Sequence, residues 1–289
     1  MTVHAITPAD PDYPLSLKKM KRPPGLLYYL GASPKTLAER PCIAIIGTRR
    51  VSPYGQQVAQ QFAHKLAEQG VVVVSGLAYG IDAIAHAAAL DADGLTIAVL
   101  PSPVTQPYPA DNSKLAERIL EGGGSLVSEY ESGPTYPSRF IARNRIVSGL
   151  ADAILIVEGA EGSGTIHTAV SARKQQRPVL CIPGPITSPV SFIPNQLIAT
   201  GQAKAVTTVD DVMKVLGARS TTKPKRVYRA KDPTEQKVLD LIKHGNASID
   251  NLIEQGGFTI AHLNQVLSRL EQAGQIQYVH GLGWAIVHA

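Results

Sequence analysis

Between residues 42 and 217, short β-branched runs alternate with stretches of helical period, and this alternation restricts the fold more than any other feature of the chain. The runs are Cys42–Gly47, Val71–Gly76, Thr96–Pro101, Ser125–Tyr130, Ile154–Gly159 and Val179–Gly184, with a short seventh at Ala203–Thr207. Four of the first six are apolar nearly throughout, as strands covered on both faces must be. In the first helical stretch Val58, Phe62 and Leu66 fall at i, i+4 and i+8, and Gly70 supplies a stop. Right-handed crossovers then place helices on both sides, so the pattern predicts an α/β fold with a doubly wound, mainly parallel sheet. Ligands of such sheets bind beyond the carboxyl ends of the strands. The residues just after each run are therefore the place to look for function.

The chain has 289 residues, 44% hydrophobic and 18% charged, which suits one large domain and a small one. No apolar run approaches the ~20 residues of a membrane span, and the opening MTVHAITPADPDYP lacks the basic-then-apolar order of a secretory leader. Cys42 and Cys181 each sit in an apolar run and are expected as reduced core residues, with no disulfide or metal framework. These features predict a cytoplasmic protein with no membrane contact and no cofactor.

The net charge of +5 is unevenly placed. Residues 1–217 hold 19 basic and 17 acidic side chains, and residues 234–289 hold 3 and 5. Residues 218–233 (ARSTTKPKRVYRAKDP) hold 6 and 1. That segment reads as a basic linker, either a solvated tether or a strap that attracts phosphate. Residues 1–41 have little periodicity and are expected to pack as an arm on the sheet, with Lys18, Lys19, Lys21 and Arg22 a solvated face.

Residues 234–289 read differently. Helices are predicted at Thr234–Lys243, Ser248–Gln255 and Thr259–Ala273, followed by a hairpin of Ile276–Val279 and Trp284–Val287 around Gly281-Leu-Gly283. Three helices and a two-stranded wing make a winged-helix domain, whose third helix enters the major groove in DNA readers. Here that helix carries one basic residue, Arg269, in a net-negative domain. A groove reader is basic, so the charge favours a protein-contact module.

After the first run, Gly47-Thr48-Arg49-Arg50 leads into Ser52-Pro53-Tyr54-Gly55 at a helix start. A tight turn, a hydroxyl, free helix N–H groups and the fork of Arg49 together predict an anion site. After the second run, Ser75-Gly76-Leu77-Ala78-Tyr79-Gly80-Ile81-Asp82 enters an alanine-rich helix. Asp82 there is either a first-turn carboxylate or a ligand, and His86 is a packed residue. After the fifth, Gly162-Ser163-Gly164-Thr165 opens another helix as a second phosphate cradle. No Lys follows Gly164, so this is not an ATP-hydrolysing P-loop. Arg139, Arg143 and Arg145 lie on the helix before the fifth run. Arg139 and Arg143 share a face, whereas Arg143 and Arg145 are about 200° apart, so one grips the ligand while the other buttresses a neighbour. Glu129 and Glu158 form either an acid/base pair or partners for these arginines. No nucleophile–His–carboxylate set or metal spacing accompanies them.

These motifs, in this order, resemble the DprA/Smf family of bacterial DNA-processing proteins. The resemblance rests on Tyr13-Pro14, PPGLLYYLG at 23–31, IAIIGTR at 43–49, SGLAYGID at 75–82, SEY at 128–130, RNRI at 143–146, SGTIHTA at 163–169 and Pro183-Gly184. It covers essentially the whole chain. It implies an extended Rossmann-like domain at 42–217 that binds single-stranded DNA, dimerises and hands the strand to the RecA recombinase during natural transformation. It also implies a C-terminal winged helix, and a preceding helical domain found in many members that has no counterpart in this sequence. DNA-contact roles carry over to Gly47, Thr48, Arg49, Arg143, Arg145, Ser163, Gly164 and Thr165. Arg139 is added from helical spacing. Departures from the family pattern lie at Leu100-Pro-Ser-Pro-Val, at Ala142 before Arg143, and at Ile193-Pro194 before Asn195.

The expected function is thus non-enzymatic, sequence-independent binding of single-stranded DNA, with Phe140 or Tyr54 stacking a base. Two alternatives are a phosphoribohydrolase like the LOG-type nucleotide-binding proteins, whose PGGxGTxxE loop is not matched, and a winged-helix transcription regulator.

Overall fold

Strands that are apolar on both faces need helices on both sides, and the computed structural model supplies them. It describes residues 2–217, 233–245, 247–279 and 283–286, which fall into two units, residues 1–221 and 222–289. In the first, β1 (His4–Ile6), α1 (Leu15–Lys18), β2 (Leu27–Gly31) and α2 (Pro34–Leu37) precede β3 (Cys42–Ile46). There follow α3 (Pro53–Glu68), β4 (Val72–Ser75), α4 (Ile81–Asp91), β5 (Thr96–Leu100), α5 (Ser113–Glu121) and β6 (Ser125–Ser128). Then come α6 (Pro137–Leu150), β7 (Ala153–Ile156), α7 (Thr165–Lys174), β8 (Val179–Cys181), α8 (Phe192–Ala199), β9 (Lys204–Ala205) and α9 (Val209–Leu216).

The nine strands order as β1-β2-β6-β5-β4-β3-β7-β8-β9. From β6 to β9 every pair is parallel, so the fold is the Rossmann-like doubly wound α/β sheet. Residues 1–41 do more than pack on it as an arm. β1 pairs antiparallel with β2, and β2 with β6, so this segment lengthens the sheet by two strands. Strands of three and five residues leave too little alternation to be read from sequence.

Side-chain alternation divides the core. Ile43 and Ile45 of β3 face Phe62 and Leu66 of α3, Ala85 and Ala89 of α4 and Val212 of α9. Cys42, Ala44 and Ile46 face the other way, toward Ile146, Val147 and Leu150 of α6, Ala169 of α7 and Leu197 of α8. Both cysteines are free and buried, and burial pushes each thiol up to about 12, out of the reactive range.

After β3 the chain builds outward through β4, β5 and β6, then crosses over by α6 to β7 on the other side of β3. The strand order reverses there. A crevice opens at such a switch point because the loops after β3 and β7 leave in opposite directions.

The second unit holds α10 (Pro233–Lys243), α11 (Ile249–Gly256) and α12 (Ile260–Gln272), then the antiparallel hairpin β10 (Ile276–Val279) and β11 (Gly283–Ile286). Ser248 and Thr259 cap α11 and α12, each accepting a backbone N–H three residues on. Val238, Leu252, Leu263, Leu267, Leu270 and Ile276 close one core, which completes the winged helix. The basic segment 218–233, except Pro233, and the turn at Gly281 and Leu282 lie outside the described residues.

Leu66 is fully buried between α3 and the sheet. Leu66→Ala is expected to cost about 2–5 kcal/mol of unfolding free energy, read by urea denaturation.

Candidate nucleic-acid interface

The chain leaves β3 through Gly47, where a Cβ would lie 2.6 Å from Ile81 and 2.8 Å from the Glu158 carbonyl oxygen. Only glycine passes between those neighbours. The Thr48 hydroxyl then accepts from the Arg50 amide at 3.1 Å, closing a turn that leaves Arg49 exposed. The Arg49 guanidinium lies 5.3 Å from the centre of the Phe140 ring, and Tyr108 meets the same ring edge-on at 5.5 Å.

One expected part of this site is corrected by the structure. The N-terminus of α3 is not open to an anion. Ser52 caps it, accepting from the Gly55 amide at 3.0 Å, and the Glu158 carboxylate takes both the Ser52 hydroxyl and its N–H. A Cβ on Gly55 would overlap that carboxylate. Glu158 therefore pairs with a helix start, not with an arginine, and satisfies the α3 dipole from within the protein. Tyr54 on the same turn donates to the Pro183 carbonyl at 2.8 Å.

The start of α7 is different. Gly164 is its N-cap residue and makes no side-chain capping bond. The buried Ser163 hydroxyl has no hydrogen-bond partner, and Thr165 and Thr168 are buried beside it. Uncapped N–H groups and hydroxyls of this kind accept an anion.

Arg143 lies beneath. It is 5% exposed, and its Nη1 donates to the carbonyls of Gly76, just past β4, and Val99 in β5. Its Nε donates to the Asn144 side chain at 3.2 Å. A Cβ on Gly76 would sit 2.2 Å from the guanidinium, so glycine is what admits it. Burial draws the Arg143 pKa down to about 10, opposed by the nearby Asp82 charge, and the group stays cationic at neutral pH. Asp82 is buried in the first turn of α4 and accepts the Gly76 amide at 3.1 Å. Burial raises its pKa, while Arg143 and its hydrogen bonds oppose the rise.

His86 is packed below this pair. The Thr96 hydroxyl donates to the Val73 carbonyl at 2.6 Å, so the His86 Nδ1 facing it, also at 2.6 Å, carries the proton. Burial first, then the charge of Arg143, lowers the His86 pKa to about 3. The imidazole is neutral.

Gly47, Thr48, Arg49, Arg143, Ser163, Gly164 and Thr165 thus line one cleft of about 450 Å³, with Arg50, Phe140 and Asn144. Arg145 and Arg139 do not. Arg145, on the opposite side of α6, pairs with Glu129 and donates to the Arg22 carbonyl at 3.0 Å. Arg139 stacks on Tyr130. Asn144 was missed by sequence reasoning, since its role of holding Arg143 Nε appears only once the helix phase is known. Neither Glu129 nor Glu158 reaches the cleft lining, so they do not form a facing acid/base pair. In the second unit Arg269, the one Lys or Arg of α12, lies on the exposed side of that helix with its Nε 3.6 Å from the fully buried Glu235 carboxylate. Among the described residues no helix is long and apolar enough to cross a membrane, and no three metal-binding side chains cluster.

A Rossmann-like sheet with an arginine-lined cleft at its switch point, joined to a winged helix, defines the class. The comparisons narrow it. The family model for DNA recombination-mediator protein A matches residues 4–217, and that for the DprA winged helix domain matches residues 222–281. The chain belongs to the DprA/Smf family of DNA-processing proteins. It is 36% identical to the putative DNA processing protein DprA of Mycobacterium tuberculosis, over 98% of this chain and 77% of that one. It is 34% identical to Escherichia coli Smf, over 96% and 76%. Among solved structures, Streptococcus pneumoniae DprA superposes with a TM-score of 0.68 at 34% identity, covering 74% of each chain. Helicobacter pylori DprA, described for its single-stranded DNA binding mode, gives 0.66 at 32%, covering 75% of this chain and 96% of that one.

Two outcomes follow from this geometry. Gly76→Ala is expected to displace Arg143 and cost about 1–3 kcal/mol, the usual cost of overpacking, seen as a lower urea midpoint. For His86, the unfolded chain takes up a proton near pH 6.5 and the folded one only near 3. Stability from this group is therefore complete above about 6.5 and falls as pH drops, by about 1.4 kcal/mol per pH unit. His86→Leu is expected to remove that slope between pH 6 and 4, measured by urea unfolding at several pH values.

Proposed function

We propose that this chain is a non-enzymatic, sequence-independent binder of single-stranded DNA that acts in the cytoplasm as a recombination mediator. The observation that carries the reading is the cleft itself. An exposed arginine, a buried cationic floor and an uncapped helix start all face one opening, and the candidate catalytic carboxylates are turned to other partners. Phosphates would lie between Arg49, Thr48 and the start of α7, with Arg143 contributing charge from below. Phe140 would offer its ring to a base. Ring faces and phosphates are shared by all sequences, which accounts for the lack of sequence preference.

Family membership supports the remainder. The strand would be passed to the RecA recombinase, as in natural transformation and homologous recombination. The chain would act as a homodimer through its Rossmann-like unit. The winged helix, with α12 carrying its single arginine against Glu235, would serve as a protein-contact module.

Arg49 is exposed and lies over the Phe140 ring at the cleft, away from the core, so Arg49→Ala is the direct test, read by fluorescence anisotropy on labelled single strands. Affinity is expected to fall alike for strands of different sequence. The slope of log affinity against log salt should shrink by about 0.7, the value for one phosphate contact on a single strand. Unchanged affinity and slope would reject the site.

A further inference from the structure

We propose that a second stacking subsite lies outside the cleft, at the start of α6, and takes the base next to the one held there. This extends the single-stranded DNA reading above and rests on it.

The loop after β6 carries Tyr130, and Tyr136 is the N-cap residue of α6. The Arg139 guanidinium sits 3.9 Å from the Tyr130 ring centre and 5.7 Å from that of Tyr136. Its Nη1 reaches the Gly133 carbonyl at 3.5 Å, and no carboxylate lies within ion-pair range of it among the described residues. Tyr136 is 55% exposed. A guanidinium held over one tyrosine ring and close to a second is a weakly hydrated planar cation, and the exposed Tyr136 beside it leaves ring surface for a base. Bases stack on such groups whatever their sequence, each contact contributing about 1–3 kcal/mol.

The position matters as much as the chemistry. Arg139 precedes Phe140 in α6, and Arg143, one turn further, lies under the cleft. One helix therefore presents the cleft floor, the cleft ring and the outer cluster in succession. One helical turn advances about 5.4 Å, a distance that an extended strand spans in about one nucleotide. A strand leaving past Phe140 would meet Tyr136 and Arg139 next. The acidic neighbours are engaged elsewhere: Glu129 with Arg145, and Glu131 with the Tyr28 hydroxyl at 3.2 Å.

The test uses the full chain and thymidylates of two lengths, the mononucleotide, which occupies only the cleft, and one of about nine nucleotides that extends beyond it. Tyr136→Ala and Arg139→Gln are each titrated by anisotropy, and their melting temperatures show that the fold is retained. The proposal expects both variants to bind the longer strand about 5- to 100-fold more weakly and the shorter one unchanged. Tyr136→Phe, which keeps the ring, is expected to restore binding of the longer strand. Equal loss on both lengths, or loss on neither, would overturn the subsite while leaving the cleft reading intact. Failure of the unaltered chain to bind either strand would remove both.

Discussion

The guanidinium of Arg143, buried and pinned to backbone carbonyls, is the interaction on which the site depends. Near the ends of two adjacent parallel strands, Gly76 just past β4 and Val99 in β5 each present a carbonyl to that guanidinium. One cation serves both. Hydrogen bonds from a charged donor are worth about 1.5–3 kcal/mol each, enough to offset part of the cost of burying the charge. The arrangement in turn requires Gly76 without a side chain, Asp82 as a compensating charge, and Asn144 to hold Nε. The floor of the cleft is thus set before any ligand arrives, by a cation that salt screens less than it does the exposed Arg49.

Around that floor, some polar groups are left open and others are engaged within the protein. Two helix starts border the same switch point, and they have opposite fates. Glu158 and Ser52 occupy the one at α3 and tie it to the end of β7. The one at α7 has no side-chain cap. The two carboxylates that a hydrolase would use are both consumed in such support, Glu158 on α3 and Glu129 on Arg145.

Much of this was legible in the sequence. Apolar β-branched runs place β3 to β8 within three residues at every end, because a strand buried on both faces leaves a composition that few other structures share. The division of labour between Arg143 and Arg145 follows from their helical angle alone. What could not be read depends on contacts between distant segments. Nothing near Ser52 announces that Glu158, far along the chain, fills the α3 terminus. The strands β1 and β2 are too short to show a period. Arg139 shares a helical face with Arg143, yet Tyr130 captures it, and a stacking partner on a loop leaves no spacing to detect.

The sheet's two margins have a consequence of their own. The outermost strands are β1, with three residues, and β9, with two. Each presents only a few unpaired amides and carbonyls, too few to template a foreign strand. Two copies of this unit meeting at those margins would therefore find too little backbone to extend one sheet into the other.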